Sequence, residues 1–288
     1  MKLEDKIEKA NVLLEALPYI KRFSGKSVVI KYGGSIMFDE VLKKQFANDI
    51  VLLKYVGIHP IIIHGGGKEI SKWMQRVGKE AVFIDGLRFT DLETMEITEM
   101  VLSGKINNEI VSLINEAGGQ AVGLSGKDGN LFTAERVKSK KNQDLGFVGD
   151  IKDVDISLLE TLSNKGFIPI ISSVGKNKAH ETLNMNADHV AQAVATAFNA
   201  MKLIYLTDVQ GLQINGELQS LLSIDEAIQL LTHEDVKEGM LPKLTCACDA
   251  IKSGVDRVHI INGTIPHATL LELFTDTGIG TMIEGKNP

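Results

Sequence analysis

Ser27-Val28-Val29-Ile30-Lys31-Tyr32-Gly33-Gly34 and, further on, Ile61-Ile62-Ile63-His64-Gly65-Gly66-Gly67 are the two stretches that decide the fold of this chain. Each is a short β-branched run that opens into glycines. A helical stretch over 41–55 lies between them, and another follows through Trp73, so the rhythm is that of parallel βαβ units. Further strands read at 121–124, 167–171, 203–206 and 258–261, each followed by Gly, Ser, Thr, Asp or Asn. Such residues stand where open α/β sheets bind ligands, beyond the carboxyl ends of the strands. Thr90 and Glu93 have capping-box spacing ahead of a long helical stretch that Gly118 and Gly119 end. The segment 135–150, with Lys138, Lys140, Lys141 and Gly146, reads as an exposed hairpin inserted into this pattern.

Before the first strand, Leu3, Ile7, Leu14 and Leu17 fall at helical spacing among Lys and Glu, and Pro18 is expected to break or kink that helix. Its apolar stripe must be covered by its own domain or by a neighbouring subunit. The 288 residues suffice for two lobes or one large domain. Lys plus Arg number 31 against 37 Asp plus Glu, a net charge of −6 that argues against a nucleic-acid partner. No apolar run approaches the ~18 residues that span a bilayer, and the mixed charges at the N-terminus do not form a secretory signal, so a cytoplasmic protein is expected. Cys246 and Cys248 are too close for an ordinary disulfide and lack a second pair for zinc, which leaves them as buried thiols.

The glycine turns let backbone N–H groups approach an anion at a helix N-terminus, which suits phosphate; a turn needed only for backbone geometry would use the same residues. Familiar nucleotide motifs fail. Gly25-Lys26-Ser27 ends like a Walker A motif but Ile20 stands where it needs Gly, and Gly126-Lys127-Asp128 lacks the hydroxyl residue. No G-x-G-x-x-G opens a helix. The seven histidines do not cluster at metal spacing, and His64 reads equally as a site residue or a satisfied turn residue. Met185, Met240 and Trp73 read as core or rim.

Taken together, Lys31 with Gly33-Gly34, the 64–67 turn, Arg88 in Asp85-Gly86-Leu87-Arg88, Asn184-Met185-Asn186-Ala187-Asp188, Thr207-Asp208-Val209 with Gly211, and Gly239-Met240-Leu241-Pro242-Lys243 occur in one order across most of the chain. This set resembles the amino acid kinase family, and within it the branch that acts on N-acetyl-L-glutamate. The resemblance implies an α/β fold, a three-layer αβα sandwich with an open, mainly parallel sheet. It also implies two lobes after an oligomerisation helix at 1–23: an acceptor lobe at about 24–178 and an ATP lobe at about 179–288. The implied reaction is ATP-dependent phosphorylation of the N-acetyl-L-glutamate side-chain carboxylate, an early step of arginine biosynthesis.

A carboxylate is already ionised near neutral pH, so no general base is needed. The obstacle is repulsion between anions, about 4 kcal/mol for a unit pair at ~4 Å and an effective dielectric near 20. The resemblance answers it with Lys31 and Lys243 on the transferring phosphoryl, Gly34 and Gly66 donating N–H groups, and Asp188 holding both lysines. Acceptor contacts fall to Gly66, Gly67, Arg88 and Asn184, with Asn186 in support. Nucleotide contacts fall to Lys31, Gly33, Gly34, Thr207, Asp208, Gly211, Leu212 and Lys243. Mg²⁺ would be held mainly by ATP phosphates and water, with no cluster of protein metal ligands. A related acceptor (free glutamate or aspartate) and a catalytically silent ligand sensor on the same fold are the rival expectations. The N-terminal helix and the stretch 267–281 further resemble the arginine-inhibited hexameric branch, a trimer of dimers, with Tyr19, Lys202, Glu272 and Gly278 around the effector.

Overall fold

The structure is a computed structural model and describes residues 3–237, 239–275 and 278–285. In chain order, α1 (Leu3–Phe23) leads to β1 (Ser27–Tyr32), α2 (Glu40–Tyr55), β2 (His59–His64) and α3 (Gly67–Arg76). The hairpin β3 (Phe83–Ile84) and β4 (Leu87–Arg88) precedes α4 (Leu92–Glu99), which runs through a π-helical stretch at Met100–Ile106 into α5 (Asn107–Glu116). Next come β5 (Ala121–Ser125), β6 (Phe132–Lys138), β7 (Asp144–Val154), α6 (Ser157–Asn164), β8 (Ile168–Ser172), β9 (Val174–Lys176) and β10 (Thr182–Met185). The chain ends with α7 (Ala187–Ala197), β11 (Lys202–Thr207), β12 (Gln213–Ile214), β13 (Glu217–Leu218), β14 (Leu221–Ser223), α8 (Ile224–Leu230), α9 (Met240–Lys252), β15 (Arg257–Asn262), α10 (Ala268–Phe274) and β16 (Thr281–Glu284).

One sheet runs in the order β14-β16-β15-β11-β1-β2-β8-β5, parallel except between β15 and β16. Alternate residues of its strands enter two cores. Val29, Ile61, Ile63, Leu203 and Tyr205 pack with α7 and α9 on one face; Val28, Ile30, Ile62 and Ile204 pack with α2 and α5 on the other. Burying each such side chain is worth roughly 1.5–3 kcal/mol, which is why the β-branched runs can only be central strands. The chain winds away from β1 toward β2 on one side and returns to its other side at β11. Gly33-Gly34 and Thr207-Asp208 therefore leave the sheet at its switch point, where such sheets bind ligands.

A second, four-stranded sheet closes on itself in the order β10-β7-β6-β9 and packs on α4 and α7. The 135–150 hairpin belongs to it and is only partly exposed: its lysines face solvent, while Leu145 and Val148 are buried. Two other expectations are corrected. α1 is continuous through Pro18, whose missing N–H removes a single bond from a helix anchored by buried Phe23. The cap of α4 is Asp91, which accepts from the Thr94 N–H at 2.8 Å, while Thr90 is buried and turned to the Arg88 carbonyl. Along α1, Leu3, Ile7, Leu14 and Leu17 remain 40–72% exposed. Among the described residues no helix is long and apolar enough to cross a membrane.

Candidate active site

Asp188 is the second residue of α7, two past the cap residue Asn186, whose side chain accepts from the Asp188 N–H at 2.9 Å. Only 5% exposed, its carboxylate meets Lys243 Nζ at 2.8 Å on Oδ2 and Lys31 Nζ at 3.2 Å on Oδ1. Burial works to raise this carboxyl, but the two ammonium groups outweigh it and hold it below its usual value. Lys31 comes from the end of β1 and Lys243 from the first turn of α9, so one buried carboxylate fixes two cations carried by distant parts of the chain.

Beside Lys31 lies a cleft of about 280 Å³ lined by Gly33, Gly34, Gly66, Gly67, Arg88, Asn184 and Asn186. The glycines have a steric reason here. A Cβ on Gly33 would lie 2.6 Å from Lys31 Nζ, and one on Gly66 would strike Leu102 and Ile106. Gly34 has φ +86°, a conformation that favours glycine. Gly66 and Gly67 form the N-terminus of α3, which presents N–H groups and positive potential to the cleft.

Arg88 is set by a turn. Asp85 and Gly86 both have positive φ (50° and 80°), as a two-residue hairpin turn requires, and the hairpin swings Arg88 inward across from Phe83. The guanidinium lies 4.7 Å from the Phe83 ring centroid and donates to the Gly67 carbonyl at 2.8 Å and the Ser71 hydroxyl at 2.9 Å. It is 7% exposed, and burial pulls its pKa down. No carboxylate lies within ion-pair distance among the described residues, so this buried cation can accept an anionic ligand. Asn184, on β10, donates to Thr90 Oγ1 at 3.3 Å.

The structure thus brings Lys31, Gly33, Gly34, Gly66, Gly67, Arg88, Asn184 and Asn186 around one cleft, with Asp188 and Lys243 joined to it through Lys31. Asp208 reaches the rim: its Oδ1 accepts from the Ser35 N–H and from Ser35 Oγ (2.8 Å), and Lys68 Nζ lies 3.8 Å from Oδ2. Partial burial works to raise this carboxyl, but the two Ser35 hydrogen bonds, helped by the charges of Lys68 and Lys31, outweigh it and hold Asp208 below its usual value. Thr207, Gly211 and Leu212 stand apart from the cleft; the Leu212 side chain is in the core, so it can meet a ligand only through its backbone. His64 is the last residue of β2 and a satisfied interior histidine: fully buried, with one ring nitrogen to the Gly65 carbonyl and the other to Asn107, and pushed by burial down to about 4. Cys246 and Cys248 are free and buried. Residues missed in the sequence are Phe83, Ser35 and Lys68; the Asp85-Gly86 turn signal could have placed Phe83 opposite Arg88.

A second pocket, of about 370 Å³, is lined by Tyr19, Lys202, Glu272 and Gly278, with Arg257 and His259. Glu272 Oε1 meets His259 Nδ1 at 2.5 Å, and Oε2 accepts the Ile279 N–H at 2.8 Å. Burial takes Lys202 down to about 8, against the pull of Glu272. Asp276 and Thr277 of the 267–281 stretch lie outside the described residues.

A switch-point cleft holding two lysines on one carboxylate and glycine turns on both sides defines a phosphotransferase of the amino acid kinase type. Residues 26–262 match the amino acid kinase family, and the chain belongs to it. It falls within the acetylglutamate kinases: it is 53% identical to the acetylglutamate kinase of Syntrophobacter fumaroxidans, with 96% of each chain covered. Among solved structures it resembles an N-acetylglutamate synthase from Neisseria gonorrhoeae complexed with coenzyme A and N-acetyl-glutamate (TM-score 0.87, 28% identity). That likeness covers 97% of this chain and 64% of the synthase chain. The same synthase complexed with coenzyme A and L-arginine matches with TM-score 0.81 at 28% identity.

Proposed function

We propose that the cleft transfers the γ-phosphoryl of ATP to the side-chain carboxylate of N-acetyl-L-glutamate, giving an acyl phosphate. The observation that carries this reading is the Lys31–Asp188–Lys243 trio beside a buried Arg88 that has no carboxylate partner among the described residues. Arg88 takes the α-carboxylate of the acceptor through its paired N–H donors, and Asn184 orients the acetamido group. The ionised side-chain carboxylate then attacks in line, while Lys31, Lys243 and the N–H groups of Gly34 and Gly66 stabilise the phosphoryl oxygens. Asp188 positions the lysines and takes no proton.

The half of the sheet carrying β2, β8 and β5 serves the acceptor, and the half carrying β11, β15, β16 and β14 serves the nucleotide, with Thr207, Asp208, Gly211 and the Leu212 backbone at its edge. Among the described residues no group of three or more His, Cys, Asp or Glu could hold a metal. A Mg²⁺ ion that keeps its waters and rides on ATP phosphates suits this donor set, and bound there it would offset phosphate charge. The second pocket takes arginine, Glu272 facing the guanidinium and Lys202 the carboxylate, with Tyr19 and Gly278 closing it. The exposed stripe of α1 joins dimers into a hexamer beside that pocket. A synthase of 28% identity that is complexed with L-arginine supports this regulatory reading.

Incubation with MgATP and N-acetyl-L-glutamate, followed by hydroxylamine trapping, should yield the acyl hydroxamate. No product above a no-acceptor control overturns the assignment, and greater turnover with free glutamate or aspartate reassigns the acceptor.

A further inference from the structure

We propose that Lys68 binds the terminal phosphates of the nucleotide, as a third cation beside Lys31 and Lys243; this rests on reading the cleft as the site of transfer from ATP. Two hydrogen-bond donors and an ammonium group converge on one carboxylate at the rim. The Ser35 N–H and the Ser35 hydroxyl both donate to Asp208 Oδ1, and the Lys68 ammonium faces Oδ2. Ser35 directly follows the Gly33-Gly34 turn, and a Cβ on Gly34 would strike the Asp208 carboxylate. Asp208 therefore lies on the glycine turn and shows what that spot recognises, an oxygen anion. A phosphate oxygen makes the same demand with more charge.

Lys68 is built to change partners. It sits in the first turn of α3, one residue past Gly67, lines the same cleft, and rests its ammonium 5.8 Å from the Phe38 ring centroid. Its side chain is 68% exposed, and 3.8 Å is an ion-pair distance too long for a hydrogen bond, so leaving Asp208 costs little. Charge demands the exchange. Lys31, Lys243 and Asp188 together carry one positive charge, while the acceptor carboxylate and the terminal phosphates bring more negative charge than that. A phosphate on the Ser35 N–H repels the Asp208 carboxylate from it, and Lys68 then follows the stronger anion.

Lys68→Ala and Lys68→Arg would be titrated as full-length proteins with AMP-PNP and AMP, and assayed at steady state. Lys68→Ala should bind AMP-PNP about tenfold more weakly, the size of one charge-assisted hydrogen bond, with AMP binding changed less than about twofold. KM for ATP should rise in step while KM for N-acetyl-L-glutamate stays put, and Lys68→Arg should recover most of the loss. An alanine variant that binds AMP-PNP like the parent, one that loses AMP equally, or an arginine variant no better than alanine overturns the proposal. Failure of the parent protein to bind AMP-PNP would instead count against the ATP reading itself.

Discussion

Asp188 neutralises only one of the two lysines that share it, and this residual positive charge sets the expected kinetics. If Lys31 and Lys243 act on charge that develops during transfer, replacing either with alanine lowers kcat by about 100-fold or more and moves KM far less. Steady-state kinetics in both substrates checks this, and an intact kcat with lost binding would reduce the lysines to ground-state anchors. Arg88→Ala should do the opposite, raising KM for N-acetyl-L-glutamate about tenfold or more with KM for ATP within about twofold. A defect on the ATP side would take Arg88 out of the acceptor site. His64 makes a prediction about stability. Its folded pKa of about 4 lies below the unfolded 6.5, so the unfolded chain gains a proton that the native state refuses. Stability should fall as pH drops from 6.5 toward 4, by up to about 3 kcal/mol from this residue, and be indifferent to it above 6.5. Urea midpoints at pH 7, 5.5 and 4.5 should decline less steeply in His64→Gln than in the parent.

At the scale of the element, the helix caps and the hairpin turn show where local signals succeed. Asp91 caps α4 although Thr90 has the capping-box spacing, because Thr90 is pulled into the interior by its bonds to the Arg88 carbonyl and to Asn184. Asp91→Ala should cost about 1 kcal/mol in thermal or urea unfolding, the worth of a side-chain cap. Thr90→Ala should leave helix content unchanged, and equal loss of helical circular dichroism in both variants would restore the Thr90 assignment. The strands at β1, β2, β8 and β11 were legible because runs covered on both faces must be apolar throughout. Pro18 misled because a proline removes one bond, whereas a long helix with an anchored end keeps the rest.

At the scale of the molecule, the exposed stripe of α1 and the Lys202 pocket belong to one regulatory reading. Deleting residues 1–23 should leave assemblies smaller than a hexamer in sedimentation and weaken arginine inhibition, whereas Glu272→Ala should abolish inhibition and keep the assembly. A full-length dimer, or activity indifferent to millimolar arginine, removes this reading and leaves the kinase one standing. The pH dependence has a definite sign. Lys202, with a pKa of about 8, carries its charge below that pH and loses it above. The arginine concentration for half-inhibition should therefore rise as pH passes 8, and a flat profile would remove Lys202 from the effector's carboxylate.

The order of strands and glycine turns, and the residue types of a cation-rich transfer site, were determined by the sequence alone. Hydrophobic period and glycine steric freedom are local properties, readable one segment at a time. What only the tertiary structure decided is which charges meet. Lys31 and Lys243 share Asp188 because β1, α7 and α9 converge; Arg88 is buried with no carboxylate beside it among the described residues because a hairpin folds it under Phe83; Lys68 faces Asp208 because α3 begins and β11 ends at the same edge of the sheet. Coulomb energy depends on separation in space and on burial, and the spacing of residues along a chain encodes neither.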